Sequence, residues 1–256
     1  MRNALIFDCD GVLADTERFA HLPAFNRTFA EVGLPLTWTE DDYARKLKVG
    51  GGKERMATML TPQFVAEIGL PVDPADQQDL LRQWHRRKTE HYTDLIASGL
   101  VPPRPGIARL VDEARAAGWL LAVASTSAHA SVLAVLEQAV GPQVAAEFRI
   151  FAGDVAPAKK PAPDVYLLAL DSMGIRAEQA VVVEDSNQGL RASVAAGIAT
   201  VVTVSSYTAG EDFTGAAVVL SDLGEPDAPM QVLHNESGLT WSGMVTLDDL
   251  RRLVAG

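Results

Sequence analysis

Apolar positions along the chain follow two patterns. Residues 4–7, 120–124, 149–152, 180–184, 199–204 and 216–220 are short, largely apolar runs rich in β-forming side chains. Such runs are the mark of strands buried on both faces of a parallel sheet. Segments 106–117, 128–139, 163–173 and 187–196 carry apolar residues at helical spacing and fall between or just before the later runs. Strands separated by helices of this length predict right-handed βαβ crossovers and an α/β fold.

Residues 16–98 break that rhythm. Helical spacing over 24–32, 40–47, 54–60 and 76–96 is punctuated by Pro35, Pro62, Pro71 and Pro74, with few strand-like runs. The expected organisation is a core of residues 1–15 and 99–256 interrupted by a helical cap at 16–98. Beyond Ser221 the chain is punctuated by Pro and Gly, and it ends in a predicted helix over 247–254 that Thr246 is placed to N-cap.

The first apolar run stops abruptly at Asp8 and Asp10, followed by Gly11. Side chains two apart in an extended chain point the same way, so both acids can face one site. The carboxyl ends of buried strands are where open α/β sheets bind ligands. Two close carboxylates disturb each other's ionisation, and a hard cation such as Mg²⁺ relieves that repulsion. The plainer alternative is a strand ending in turn-favouring aspartates. An EF-hand loop is excluded, because Gly11 comes too early and Val12 occupies a ligand position. Cys9, between the two acids, is expected to point the other way as a small buried hydrophobe.

Composition narrows the class. With 256 residues, 48% hydrophobic and 21% charged, the chain has the make-up of a globular protein. No apolar stretch approaches the ~20 residues of a membrane span. The first strand begins so early that no signal peptide is expected, and a single cysteine fits a reducing cytoplasm. A net charge of −11 argues against nucleic acid or anionic membrane as partner. It does not exclude a phosphorylated small molecule, because one cation and a few lysines set the local field.

Three later strand ends carry suitable chemistry. The run 120–124 leads into Ser125-Thr126-Ser127, either an N-cap or an anion site of hydroxyl and backbone N–H groups. Lys159 and Lys160 precede the stiff Pro161-Ala162-Pro163 segment, which favours Lys160 as a fixed cation over a solvated basic pair. The run 180–184 ends in Glu184-Asp185, a second acidic pair that serves either as helix cap or as metal ligand. In the insert, Gly50-Gly51-Gly52-Lys53-Glu54-Arg55 is a glycine turn entering a helix with two cations, a phosphate cradle or an ordinary helix start. Glu17 and His21, four apart, share a face if helical.

Together these motifs resemble the haloacid dehalogenase-like (HAD) phosphohydrolases. The DxDGxLxDTE motif stands intact from Asp8 to Glu17, and Ser125, Lys160 and Glu184/Asp185 match the other three. The resemblance implies a Rossmann-like parallel-sheet core with an inserted helical cap, and phosphate transfer to Asp8 as an aspartyl phosphate. It implies that Asp10 protonates the leaving oxygen and then activates water, for which a raised pKa is expected from Asp8 and a dry site. Mg²⁺ would be held by Asp8, the Asp10 backbone carbonyl and Asp185, while Ser125, Thr126 and Lys160 bind the phosphoryl group.

The insert is similar to the CbbY-like branch of that family, sugar-bisphosphate phosphatases acting on xylulose 1,5-bisphosphate. Glu17 with His21, the segment Trp38 to Met56 with its GGGKERM, Lys88-Thr89-Glu90 with Tyr92, and Arg104-Pro105-Gly106 carry that likeness. It implies substrate contacts from Glu17, His21, Gly51, Lys53, Arg55, Lys88 and Arg104. Two departures stand out. Pro23 is expected to break or restart the first helix of the insert, and Ala162 replaces the acid expected between Pro161 and Pro163. The expected protein is a cytoplasmic, monomeric, Mg²⁺-dependent phosphatase of a phosphorylated sugar. A β-phosphoglucomutase-like mutase and a catalytically silent HAD-fold binding protein are the rivals.

Overall fold

The structure, a computed structural model, describes residues 2–254. Its centre is a seven-stranded sheet in the order β3-β2-β1-β4-β5-β6-β7. The strands are β1 (Ala4–Phe7), β2 (Leu120–Ser125), β3 (Arg149–Ala152), β4 (Ala180–Glu184), β5 (Ala199–Thr203), β6 (Val218–Leu220) and β7 (Val232–Asn235). β1 lies between β2 and β4, parallel to both, and all four of its residues are fully buried. β1 to β6 pair in parallel, as the βαβ pattern predicts.

β7 was not legible. It pairs antiparallel with β6 across a register irregularity, and all four of its residues are exposed. Its two apolar residues stand side by side and face solvent, so neither alternation nor an apolar run marks it.

The alternation of β1 separates two cores. Leu5 and Phe7 join one cluster with Leu110 and Val111 of α6 (Ile107–Ala116) and with Val132 and Leu136 of α7 (His129–Val140). Ala4 and Ile6 face the other, with Val165, Tyr166 and Ala169 of α9 (Asp164–Met173) and Ala192 of α10 (Asn187–Ala195). A single turn, α8 (Pro142–Ala145), follows α7, and α11 (Leu247–Val254) adds Leu250 to the first cluster. Thr246 accepts from Asp249 N–H at the start of α11, as the sequence predicts.

Between β1 and α6 lie α1 (Leu22–Glu31), α2 (Glu40–Lys46), α3 (Gly52–Ala57), α4 (Pro62–Ile68) and α5 (Pro74–Ala97). They share a third apolar cluster containing Phe25, Phe29, Trp38, Tyr43, Met56 and Trp84. α4 differs from the sequence pattern, in which Pro62 punctuates the segment: Pro62 opens that helix, with Thr61 as N-cap. At Pro23 the helix restarts, as the sequence predicts: a π-helical turn, Glu17–His21, runs directly into α1, and Pro23 falls in the first turn of α1.

Candidate active site

Register brings the strand ends together. Phe7 is level with Val123 and with Val183, so Asp8 leaves the sheet beside Ala124 and Glu184, donating its N–H to Val183 O at 2.9 Å. The Lys160 ammonium arrives from 152 positions away and donates to Asp8 Oδ1 at 2.7 Å, Glu184 Oε1 at 2.6 Å and Ala124 O at 2.9 Å. A cavity of about 770 Å³ opens over this point. Asp8, Asp10, Ser125, Thr126, Lys160 and Asp185 line it from the sheet side, and Glu17, His21, Gly51, Arg55 and Lys88 from the inserted helices.

Asp8, Glu184 and Asp185 offer carboxylate oxygens all within 4.8 Å of one another. Burial pushes Asp8 up to about 7, with Lys160 opposing and the Glu184 and Asp10 charges adding to the rise. Burial, Glu184 and Asp8 likewise push Asp185 well above the usual range. The cluster therefore holds more negative charge than one lysine offsets, and its donors are all hard oxygens, the set that suits Mg²⁺. Gly11 belongs to this geometry. It has φ of 82°, and a Cβ there would fall 2.1 Å from Asp185 Oδ2.

Asp10 turns away from that cluster. Its Oδ1 accepts from Thr16 Oγ1 at 2.5 Å, meets His21 Nε2 at 2.8 Å and accepts from Tyr92 OH at 3.2 Å, while Oδ2 accepts from the Ser127 hydroxyl. Burial works to raise its pKa, but His21 and the Ser127 and Thr16 hydroxyls outweigh it and hold the carboxyl well below the usual range. The sequence expectation of a raised pKa at Asp10 is thus reversed. Four donors converge on it, two of them from segments 82 and 117 residues away.

Among the inserted helices the expected cationic residues divide. The Arg55 guanidinium donates to Tyr43 OH at 2.9 Å and Glu17 Oε1 at 3.3 Å, and Tyr43 OH donates to Glu17 Oε2 at 2.5 Å. Burial opposes charge on Arg55, yet Glu17 and Tyr43 raise its pKa above the ordinary value. Lys88 is fully buried, its ammonium 4.8 Å from the ring centroids of both Phe25 and Tyr92 and in contact with His21 Nδ1. When that ammonium donates to Nδ1, the imidazole presents Nε2–H to Asp10.

Two expected substrate ligands lie elsewhere. Lys53 does not line the cavity. It pairs with Asp154 at 3.0 Å, beside a second pair of Lys159 and Glu54 at 2.8 Å. An anion beyond β3 captures the lysine that the glycine turn alone assigned to phosphate. Arg104 also lies outside the cavity lining. Its guanidinium donates to the carbonyls of Gly11, Thr203, Val204 and Ser221, clamping the loop after β1 to the ends of β5 and β6.

Sequence reasoning passed over Thr16, Tyr43, Ser127, His85 and Tyr166. Thr16 and Ser127 lie inside quoted motifs, and their hydroxyls were visible signals. Tyr43 and His85 carry no local pattern. His85 lines the cavity, and burial beside Lys88 and Lys53 pushes it down to about 4.

Residues 3–197 match the family described as haloacid dehalogenase-like hydrolase. A CBBY-like protein of Arabidopsis thaliana is 46% identical over 224 residues, covering 88% of this chain and 70% of that protein. Protein CbbY of Cupriavidus necator is 43% identical over 251 residues, covering 95% of this chain and 94% of that protein. The solved structure of a CbbY point mutant from Rhodobacter sphaeroides, in complex with xylulose-(1,5)bisphosphate, is 37% identical with a TM-score of 0.75, covering 87% of this chain and 95% of that one. A match over most of the chain, in sequence and in fold, with the motif acids and lysine gathered at one cavity, leads to one assignment: the chain belongs to the haloacid dehalogenase-like hydrolase family, in its CbbY-like branch, and is a phosphatase.

Proposed function

We propose that the protein removes phosphate from a phosphorylated sugar, specifically a ketose bisphosphate such as xylulose 1,5-bisphosphate, with residues 16–98 acting as a cap over the reacting group. The observation that carries this reading is a single cavity with two cationic regions. Lys160 stands beside Asp8 on the sheet side, and Arg55 and Lys88 face the same space from the inserted helices. A substrate with one phosphate at each end has a partner for both. The bisphosphate held by the Rhodobacter sphaeroides relative supports the same substrate class here.

Asp8 is the nucleophile. Its Oδ1 is held by Lys160, so the carboxylate is oriented before the phosphoryl group arrives. Phosphorus passes from the sugar oxygen to Asp8, and the leaving oxygen takes a proton from Asp10. Because four donors keep Asp10 ionised beforehand, it gains that proton only once the substrate is bound: the Lys88 ammonium passes a proton to His21 Nδ1 as His21 Nε2–H passes to Asp10, which leaves His21 neutral and Lys88 a neutral amine until the proton released by water returns along the same path. The regenerated Asp10 carboxylate then takes the proton from the water that hydrolyses the aspartyl phosphate. Asp8, Asp185 and the Asp10 backbone carbonyl would hold Mg²⁺, which supplies positive charge to the phosphoryl oxygens. Ser125 and Thr126 bind the remaining oxygens of the transferring group, and Lys160, its three N–H groups already engaged, sets its positive charge beside them through Asp8.

The test is a Mg²⁺-dependent phosphate-release screen over sugar mono- and bisphosphates, with Asp8→Asn as control. Bisphosphates are expected to give the higher kcat/KM, and Asp8→Asn to abolish turnover. Equal kcat/KM on matched monophosphates refutes the two-anion reading, and phosphate returned to the sugar in place of release refutes hydrolysis.

A further inference from the structure

Tyr166 is a fully buried tyrosine of α9 that lies outside the cavity lining. Its hydroxyl donates to Glu184 Oε1 at 2.6 Å, and the Lys160 ammonium stands 4.9 Å from the centroid of its ring. The other buried residues of α9 are Val165, Ala169, Leu170 and Met173, all apolar. A phenylalanine would fill the same space and spare the desolvation of a hydroxyl, so packing does not account for the oxygen. Its acceptor is a carboxylate with no solvent access.

Glu184 is held on every side. Oε1 accepts from Lys160 and Tyr166, and Oε2 accepts from Asp185 N–H at 3.1 Å and the Ser186 hydroxyl at 3.4 Å. Gly189 closes the remaining direction, since a Cβ there would lie 1.9 Å from Oε1. The three protons of Lys160 are likewise all committed, to Glu184, Ala124 O and Asp8 Oδ1. With two of these partners immobile, the third bond has only one direction left, toward Asp8.

We propose that Tyr166 is a positioning residue for phosphoryl transfer, fixing Glu184 by its hydroxyl and Lys160 by its ring so that the ammonium faces the Asp8 carboxylate. It touches neither substrate nor reacting atoms and acts only through these two side chains. The inference rests on the reading of Asp8 as nucleophile.

Tyr166→Phe tests it, because the ring stays and one hydrogen bond goes. The assay is hydrolysis of p-nitrophenyl phosphate by the Mg²⁺-loaded full chain, which probes the reacting centre without the sugar. The variant is expected to lose about tenfold in kcat, with KM and the Mg²⁺ half-saturation concentration within twofold of wild type. Tyr166→Leu, which also removes the ring, is expected to lose at least threefold more. A Tyr166→Phe kcat within twofold of wild type, or a loss carried by KM or by Mg²⁺ half-saturation, overturns the proposal. If Asp8→Asn retains wild-type turnover in the same assay, the reading of Asp8 falls, and this inference falls with it.

Discussion

Lys88 is a buried lysine in the wall of the cavity. Its side chain on α5 is buried against the rings of Phe25 and Tyr92 and touches His21. Burial lowers its pKa from 10.5 to about 7, against the pull of the Asp10 and Glu17 carboxylates. In the unfolded chain the ammonium keeps its ordinary value. Between about pH 7 and 10.5 the unfolded state therefore binds more protons than the folded one, and stability must rise with pH through that window. At about 1.4 kcal/mol per pH unit, the full drop withholds on the order of 5 kcal/mol of folding free energy at pH 7 and below. Over the interval from about pH 7.5 to 9.0 the gain is about 2 kcal/mol. Lys88→Met keeps most of the volume and removes the ionisation, so its stability should lack this slope. Urea unfolding of both proteins at the two pH values, without metal, measures it. The difference between variant and wild type should move by about 2 kcal/mol in favour of wild type as pH rises. The variant is also expected to lose turnover on sugar bisphosphates, since the cavity loses a cation. A difference between the two proteins that stays constant across the interval refutes the buried-ammonium reasoning.

Other outcomes follow from single contacts. Gly11→Ala places a methyl group against Asp185 at a positive φ; it should cost about 1–2 kcal/mol in urea unfolding and raise the Mg²⁺ half-saturation concentration. Arg55→Ala is expected to raise KM for a bisphosphate by about tenfold or more, the loss of a charge-assisted contact. Lys53→Ala, whose partner is Asp154 outside the cavity, should leave that KM within about threefold, as for an exposed ion pair; steady-state kinetics on one substrate compares the two. Arg104→Met leaves four backbone carbonyls without their donor; it should lower unfolding free energy by about 3 kcal/mol or more, and unchanged stability would sink its role as a clamp.

The α/β core was readable because each strand carries its own local signal. A four-residue apolar run such as 4–7 has nowhere to go but between two layers of helices. β1, β2 and β4 run parallel and end at the same edge, so Asp8, Ser125 and Glu184 had to approach one another. β7 escaped notice because an exposed edge strand needs no pattern beyond the backbone of β6 to pair with. Pro62 hides α4 for a related reason, since a proline that opens a helix and one that ends it look alike until the capping residue is known.

Which residues carry chemistry was thus written in short motifs, but what each does with its charge was not. Asp10 carries the same motif letters whether its carboxyl is raised or lowered; the choice fell to His21, Thr16, Tyr92 and Ser127, which arrive from three stretches of chain. Lys53 and Arg104 kept their identity as cations, and the partners they meet in the fold, Asp154 and four carbonyls, are not written beside them in the sequence. Lys88 meets His21 across 67 residues, and Lys160 meets Asp8 across 152. Backbone preference and apolar periodicity act over a few neighbouring positions, so one dimension records them. Ionisation and partner choice depend on burial and on charges within a few ångströms, and those distances exist only after distant segments have packed.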